Sequence, residues 1–152
     1  MRRVIVLAAA VVMLAGCASS GPTGSEILTG SIKSDLARLV IYRTSPLGFA
    51  VQPEYKVDGR AIGSSTPNGF VMCEMRPGKH DISVGNFPVN INLSGGSDTS
   101  KLVLVAGKTT YLIAQPQFGL TIGVITLTEV TEQQARMDTA DLHKLDSDCR
   151  LS

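Results

Sequence analysis

Tryptophan is absent, and the aromatic complement is three tyrosines and four phenylalanines. That leaves few of the flat stacking platforms on which sugar sites are built. Histidine occurs only at His80 and His143, and cysteine only at Cys17, Cys73 and Cys149. No C-x-x-C or H-E-x-x-H grouping joins these residues, so no zinc ligand set can be assembled. The serines sit in no G-x-S-x-G elbow. "AGKTT" (106–110) ends like a phosphate-binding loop, yet the earlier glycine such a loop requires would fall on Leu102, and a strand rather than a helix follows. With no nucleophile, base, metal or cofactor constellation, the chain reads as noncatalytic.

One long apolar run is present. Arg2 and Arg3 precede Val4 to Leu14, and the small pair Ala15 and Gly16 follows, which is the layout of a signal peptide over residues 1–16. Eleven helical residues cover only about half of the roughly 30 Å hydrocarbon core, so a permanent span is the poorer reading. Leu14-Ala15-Gly16-Cys17 resembles the lipobox of bacterial lipoproteins. The resemblance implies that Cys17 is acylated and the protein is held by its N-terminal lipid in the cell envelope. Ala18 after the cysteine, with no aspartate there, implies the outer membrane.

Beyond residue 16 the chain keeps 136 residues, enough for one domain with its own core. Loss of Arg2 and Arg3 leaves 12 basic side chains against 13 acidic, a formal balance of −1. Nucleic acid and anionic lipid demand a clustered positive field, and neither is expected as a partner. Residues 17–36 begin Ser/Gly/Pro-rich and read as a flexible tether with at most one helical turn around Ile27, Leu28 and Ile32.

From Ala37 the pattern is strand after strand: Ala37 to Arg43, Gln52 to Val57, Phe70 to Met75, His80 to Val84, Val89 to Ser94, Lys101 to Val105, Thr110 to Gln115 and Thr121 to Glu129. Asp58-Gly59, Pro67-Asn68-Gly69, Pro77-Gly78, Gly95-Gly96 and Ala106-Gly107 supply the turns. The expected fold is all-β, an antiparallel β-sandwich of seven to eight strands over residues 37–152, closed by one C-terminal helix at 131–145. Thr131 and Gln134 form its T-x-x-Q capping box, and Ala135, Leu142 and Leu145, with Met137, form its apolar face.

The middle of the chain resembles the PEGA-type repeat. Its V-D-G, I-G, T-P and P-G-x-H elements fall on Val57, Asp58, Gly59, Ile62, Gly63, Thr66, Pro67, Pro77, Gly78 and His80, with Met75, Ile82 and Val84 at the apolar positions. One residue more than usual separates Gly63 from Thr66. An R-L-x-x-Y-R strand (Arg38, Leu39, Tyr42, Arg43) and an A-G-K-x-x-Y strand start (Ala106, Gly107, Lys108, Tyr111) extend the likeness to a domain-of-unknown-function family of proteobacterial lipoproteins. This resemblance implies a β-sandwich and an envelope location, and brings no catalytic residues.

His80 shares strand parity with Ile82 and Val84, which predicts a hydrogen-bonded structural residue beside the core; His143 falls on a solvated helix face. Cys73 and Cys149 leave two readings open. They form a disulfide, as suits an exported chain, or Cys73 is a buried free thiol and Cys149 a loose terminal one. The loops that stand out are "SPLGFAV" (45–51), where Leu47 and Phe49 are too apolar for a free loop, and "QPQFGL" (115–120) with Phe118. Both are expected to contact an envelope protein partner. A small ligand or peptidoglycan is the alternative partner class.

Overall fold

The computed structural model describes residues 21–47, 49–85, 98–117 and 125–149. The signal segment, Cys17, the strand expected at Val89 to Ser94 and Phe118 lie outside them. In chain order the elements are α1 (Gly24–Ile27), β1 (Ala37–Arg43), β2 (Glu54–Val57), β3 (Arg60–Ser64), β4 (Gly69–Met75), β5 (Gly78–Val84), β6 (Asp98–Leu104), β7 (Thr109–Pro116), β8 (Ile125–Val130), α2 (Glu132–Thr139) and β9 (His143–Lys144).

The alternation of β1 explains its place. Ala37, Leu39 and Ile41 point one way and Arg38, Val40 and Tyr42 the other, and every residue of the strand is buried. It therefore lies centrally in a five-stranded sheet of order β8-β7-β1-β4-β9, which shares a core with a four-stranded sheet of order β3-β2-β5-β6. Leu39, Ile41, Val71, Cys73, Leu112 and Ile125 from the first sheet meet Tyr55, Val57, Ile62, Ile82, Val84 and Leu104 from the second. A smaller core on the outer face of the five-stranded sheet joins Val40, Tyr42, Phe70 and Tyr111 to Leu28, Ala135 and Leu142.

The four-stranded sheet is antiparallel, but the five-stranded sheet is mixed, which corrects the wholly antiparallel sandwich expected from sequence. β1 runs parallel to β7, and β4 parallel to β9. Between β1 and β7 the chain reverses six times while passing twice through the other sheet, so it returns beside β1 in the same direction. Two strands escaped the sequence reading. Asp58 and Gly59, both at positive φ (50° and 80°), form a two-residue hairpin turn whose return strand is β3. β9 is only two residues long and carries no periodicity to read.

The helix expected at 131–145 stops at Thr139. Thr131 accepts from the Gln134 amide at 3.3 Å, but the Gln134 side chain donates to Asp138 at 2.7 Å instead of reaching back. Of the expected apolar face, Ala135 is buried while Met137 stands 62 % exposed. Leu142 and Leu145 lie beyond the helix in extended chain, where alternation sends Leu142 to the outer core and Leu145 against the inter-sheet core. An extended segment serves both layers, whereas one helix face would serve only one.

The tether expected over 17–36 is folded from Gly21 onward. Gly24 donates its amide to Leu142 O at 3.0 Å, Lys144 donates to Pro22 O at 2.8 Å, and Leu28 is buried. Gly21 is required for this contact, because a Cβ there would lie 2.1 Å from Lys144 O. Composition marks this stretch as polar, and contacts across more than a hundred residues of separation order it.

Cys73 on the inner face of β4 and Cys149 are joined in a disulfide with their Cα atoms 5.3 Å apart and 76 residues between them in sequence. Closing a loop of that length is expected to contribute about 4 kcal/mol by constraining the unfolded chain. Denaturant unfolding with and without reductant checks this, and two thiols should titrate only after reduction.

Candidate functional site

The loop between β1 and β2 gains its shape from the last residue of β1. Arg43 has the same parity as Leu39 and Ile41, so its side chain is directed toward the inter-sheet core and is fully buried. A guanidinium there needs acceptors for its five N–H groups. It donates to Ser45 O (3.2 Å), to Leu47 O, to Val51 O (2.9 Å) and to Ser65 O (2.9 Å), gathering one loop and the neighbouring turn around a single charge. Burial lowers the pKa of Arg43 from its ordinary value. Beside it, Tyr55 donates to Ser65 Oγ at 2.9 Å, and burial pushes its phenol up to about 12.

On the loop so fixed, Leu47 is 53 % and Phe49 74 % exposed. The two residues singled out in the sequence are thus on the surface, presented by a tethered backbone. Sequence reasoning missed Arg43 as their organiser. Its signal was a charge on the core parity of an apolar strand, immediately before an apolar loop.

The other motif residues are occupied in the framework. Arg38 donates to Glu74 at 2.7 Å and to the Gly30 and Ser31 carbonyls at 2.9 and 3.3 Å, tying the N-terminal segment to β4. Tyr42 donates to Asp138 at 2.7 Å, and burial, followed by that carboxylate, raises its pKa. Gly107, at φ +69°, donates its amide to Leu36 O at 2.7 Å and sets the start of the β1–β7 pairing. Asp58 accepts from the Asp81 amide at 2.9 Å and stands 2.7 Å from His80 Nδ1, while His80 Nε2 donates to Arg76 O at 3.0 Å. His80 thus occupies the hydrogen-bonded position its strand parity predicts.

His143 does not lie on a helix face. It sits in β9, and its Nδ1 donates to Gly21 O at 2.8 Å. Beside the disulfide an open groove runs between Ala61–Gly63 and Asp146–Cys149. Among the described residues no cluster of three or more metal-ligating side chains forms.

No family model matches the chain, and no solved structure matches it. Over 105 residues it is 27 % identical to a Haemophilus influenzae protein described as uncharacterized, an alignment covering 69 % of this chain. The matched region spans 58 % of that relative's length.

Arg43→Ala should cost about 2–4 kcal/mol by leaving buried carbonyls without donors, and Arg43→Lys should recover only part of it, since an ammonium lacks the planar fork. Urea unfolding measures the loss, and limited proteolysis within residues 44–52 should report a released loop in both. Asp58 makes a second prediction. The Asp81 amide first, and His80 after it, hold its carboxyl below the ordinary value of 3.8. A carboxylate depressed on folding stabilises above its unfolded pKa and loses that contribution as pH falls through the folded one. Asp58→Asn keeps a residue suited to the turn, so its deficit against the native chain, about 1 kcal/mol or less at pH 7, should begin to shrink as pH falls through the ordinary value of 3.8 and vanish only once pH is below the depressed folded value, in thermal melts taken across pH.

Proposed function

We propose that the protein is a noncatalytic, lipid-anchored lipoprotein of the bacterial cell envelope, attached through Cys17 to the outer membrane and serving as a rigid interaction or structural module. The observation that carries this reading is the Cys73–Cys149 disulfide in a chain whose residues 14–17 resemble a lipobox. Structural disulfides persist in exported proteins and are rare where thiols are kept reduced. The signal-peptide layout gives the same compartment on independent grounds.

A module that acts by contact rather than chemistry fits the side chains described above. Arg38, Arg43, Tyr42, Tyr55, His80 and His143 are each spent on holding strands, helices and loops together. The likeness to the PEGA-type repeat and to proteobacterial lipoproteins belongs to the same proposal, as does the β-sandwich that this likeness implies.

In-cell cross-linking of the tagged, lipidated protein, followed by co-purification and mass spectrometry, tests the reading against a Cys17→Ser control. A discrete envelope protein recovered only with the acylated form is the expected result. Recovery of abundant outer-membrane proteins alone would overturn the partner assignment and favour peptidoglycan or a small ligand, to be checked by saturable binding to isolated cell wall.

A further inference from the structure

Residues 145–149 cross from one sheet to the other where β3 lies over β4. β3 is the end strand of its sheet, and beyond β4 stand only the two residues of β9. Leaving β9, the chain first follows β4, where Leu145 donates its amide to Phe70 O at 2.8 Å, and then reaches β3, where Asp148 donates its amide to Ile62 O at 3.1 Å. Two glycines, one from each sheet, make room for this passage. A Cβ on Gly69 of β4 would lie 2.7 Å from Leu145 Cδ2, and one on Gly63 of β3 would lie 3.2 Å from Asp146 O. Leu145 thereby packs against the inter-sheet core, and Cys149 ends the crossing in its disulfide with Cys73.

The other ties on this segment are few. Among the described residues, two main-chain hydrogen bonds hold residues 145–149 to the sheets, and the apolar contribution comes from the half-buried Leu145, while Asp146 and Asp148 are exposed. Ordering a residue costs more conformational entropy than one net hydrogen bond contributes. The covalent link is therefore what keeps the crossing closed.

Its two sulfurs are not equally sheltered. Cys73 is 1 % exposed, whereas Cys149 is half-buried and lines the open groove between Ala61–Gly63 and Asp146–Asp148. A thiol that enters this groove meets the Cys149 half of the disulfide.

We propose that residues 145–149 are a redox-controlled strap, opened through Cys149 by a dithiol reductant. One thiolate of the reductant attacks Cys149 Sγ, the bond to Cys73 breaks, and Cys73 Sγ takes up a proton. The second thiol of the reductant then attacks the mixed disulfide and releases Cys149 as a thiol. The reductant ends as a disulfide, and two electrons and two protons have passed to the protein. A thiolate departing into apolar surroundings is a poor leaving group, so opening is slow and the closed strap is the resting state.

Once free, the strap uncovers the outer edge of β3 at Ile62 O and the flank of the inter-sheet core beside Cys73, while the pairing of β7, β1 and β4 is left intact. An end strand that has lost its cover is a place for a further strand to pair. The strap opens and closes whether or not Cys17 carries lipid.

Backbone amide hydrogen exchange of the full-length protein, oxidised and after complete reduction by dithiothreitol, tests this. Cys149→Ser provides a second open form, and mass spectrometry counts the free thiols. The expected result is exchange faster by about tenfold or more at Leu145 and Asp148 in both open forms, with the amides of β1 and β7 at their oxidised rates. Unchanged rates at Leu145 and Asp148 in fully reduced protein would overturn the strap. Loss of protection in β1 together with Asp148 would overturn it too, because the disulfide would then be a staple of the whole fold. Resistance of the folded protein to dithiothreitol would overturn entry through Cys149.

Discussion

Both faces of β1 are closed to water, and the rest of the molecule is arranged to keep them so. One face needs the four-stranded sheet, and the other needs α1, α2 and the segment leading into β1. A strand buried in this way can carry charge only where the surroundings supply acceptors. Arg38 and Arg43 sit at its two ends and on opposite faces. Arg38 draws in the Gly30 and Ser31 carbonyls and Glu74, and Arg43 draws in the 44–52 loop and the Ser65 turn. The two guanidiniums thus specify how the chain enters and leaves its central strand, while the apolar residues between them supply the burial.

Much of the β framework was legible because its signals are local. Val40, Ile41 and Tyr42 in one short run, the alternation around Ile82 and Val84, and Asp58-Gly59 at a hairpin each report on a few neighbours. What was not legible depends on residues distant in sequence. The parallel pairing of β1 with β7 follows from a count of reversals through two sheets, and β9 exists because the edge of β4 is there to receive it. The segment from Gly21 to Leu36 has the composition of a linker, and its order comes from Leu142, Lys144 and Arg38. The helix after Thr131 was found by its cap. Its end was misplaced because Leu142 and Leu145 keep a helical spacing while serving two different cores.

The candidate surface divides in the same way. Leu47 and Phe49 stand out in sequence as apolar residues among turn formers, whereas the backbone that presents them is held by Arg43, whose contacts with Val51 and Ser65 are set by the fold. The cysteine pair was an open choice in sequence, because spacing along the chain says nothing about spacing between Cα atoms. His80 was placed by parity, although of its two partners only Arg76 is close in sequence and Asp58 comes from the β2–β3 turn.

The contact between Gly21 and β9 joins positions 122 residues apart, and it bears on the order in which the molecule comes into being. A chain delivered from its N-terminus presents residues 21–22 first and their partners, His143 and Lys144, almost last. Contacts of such separation form late, because the intervening loop must be closed before they are rewarded. Until those partners are made, the segment from Gly21 to Thr23 lacks the contacts that order it in the finished fold. The closing of the fold upon itself is then the event that ends this window.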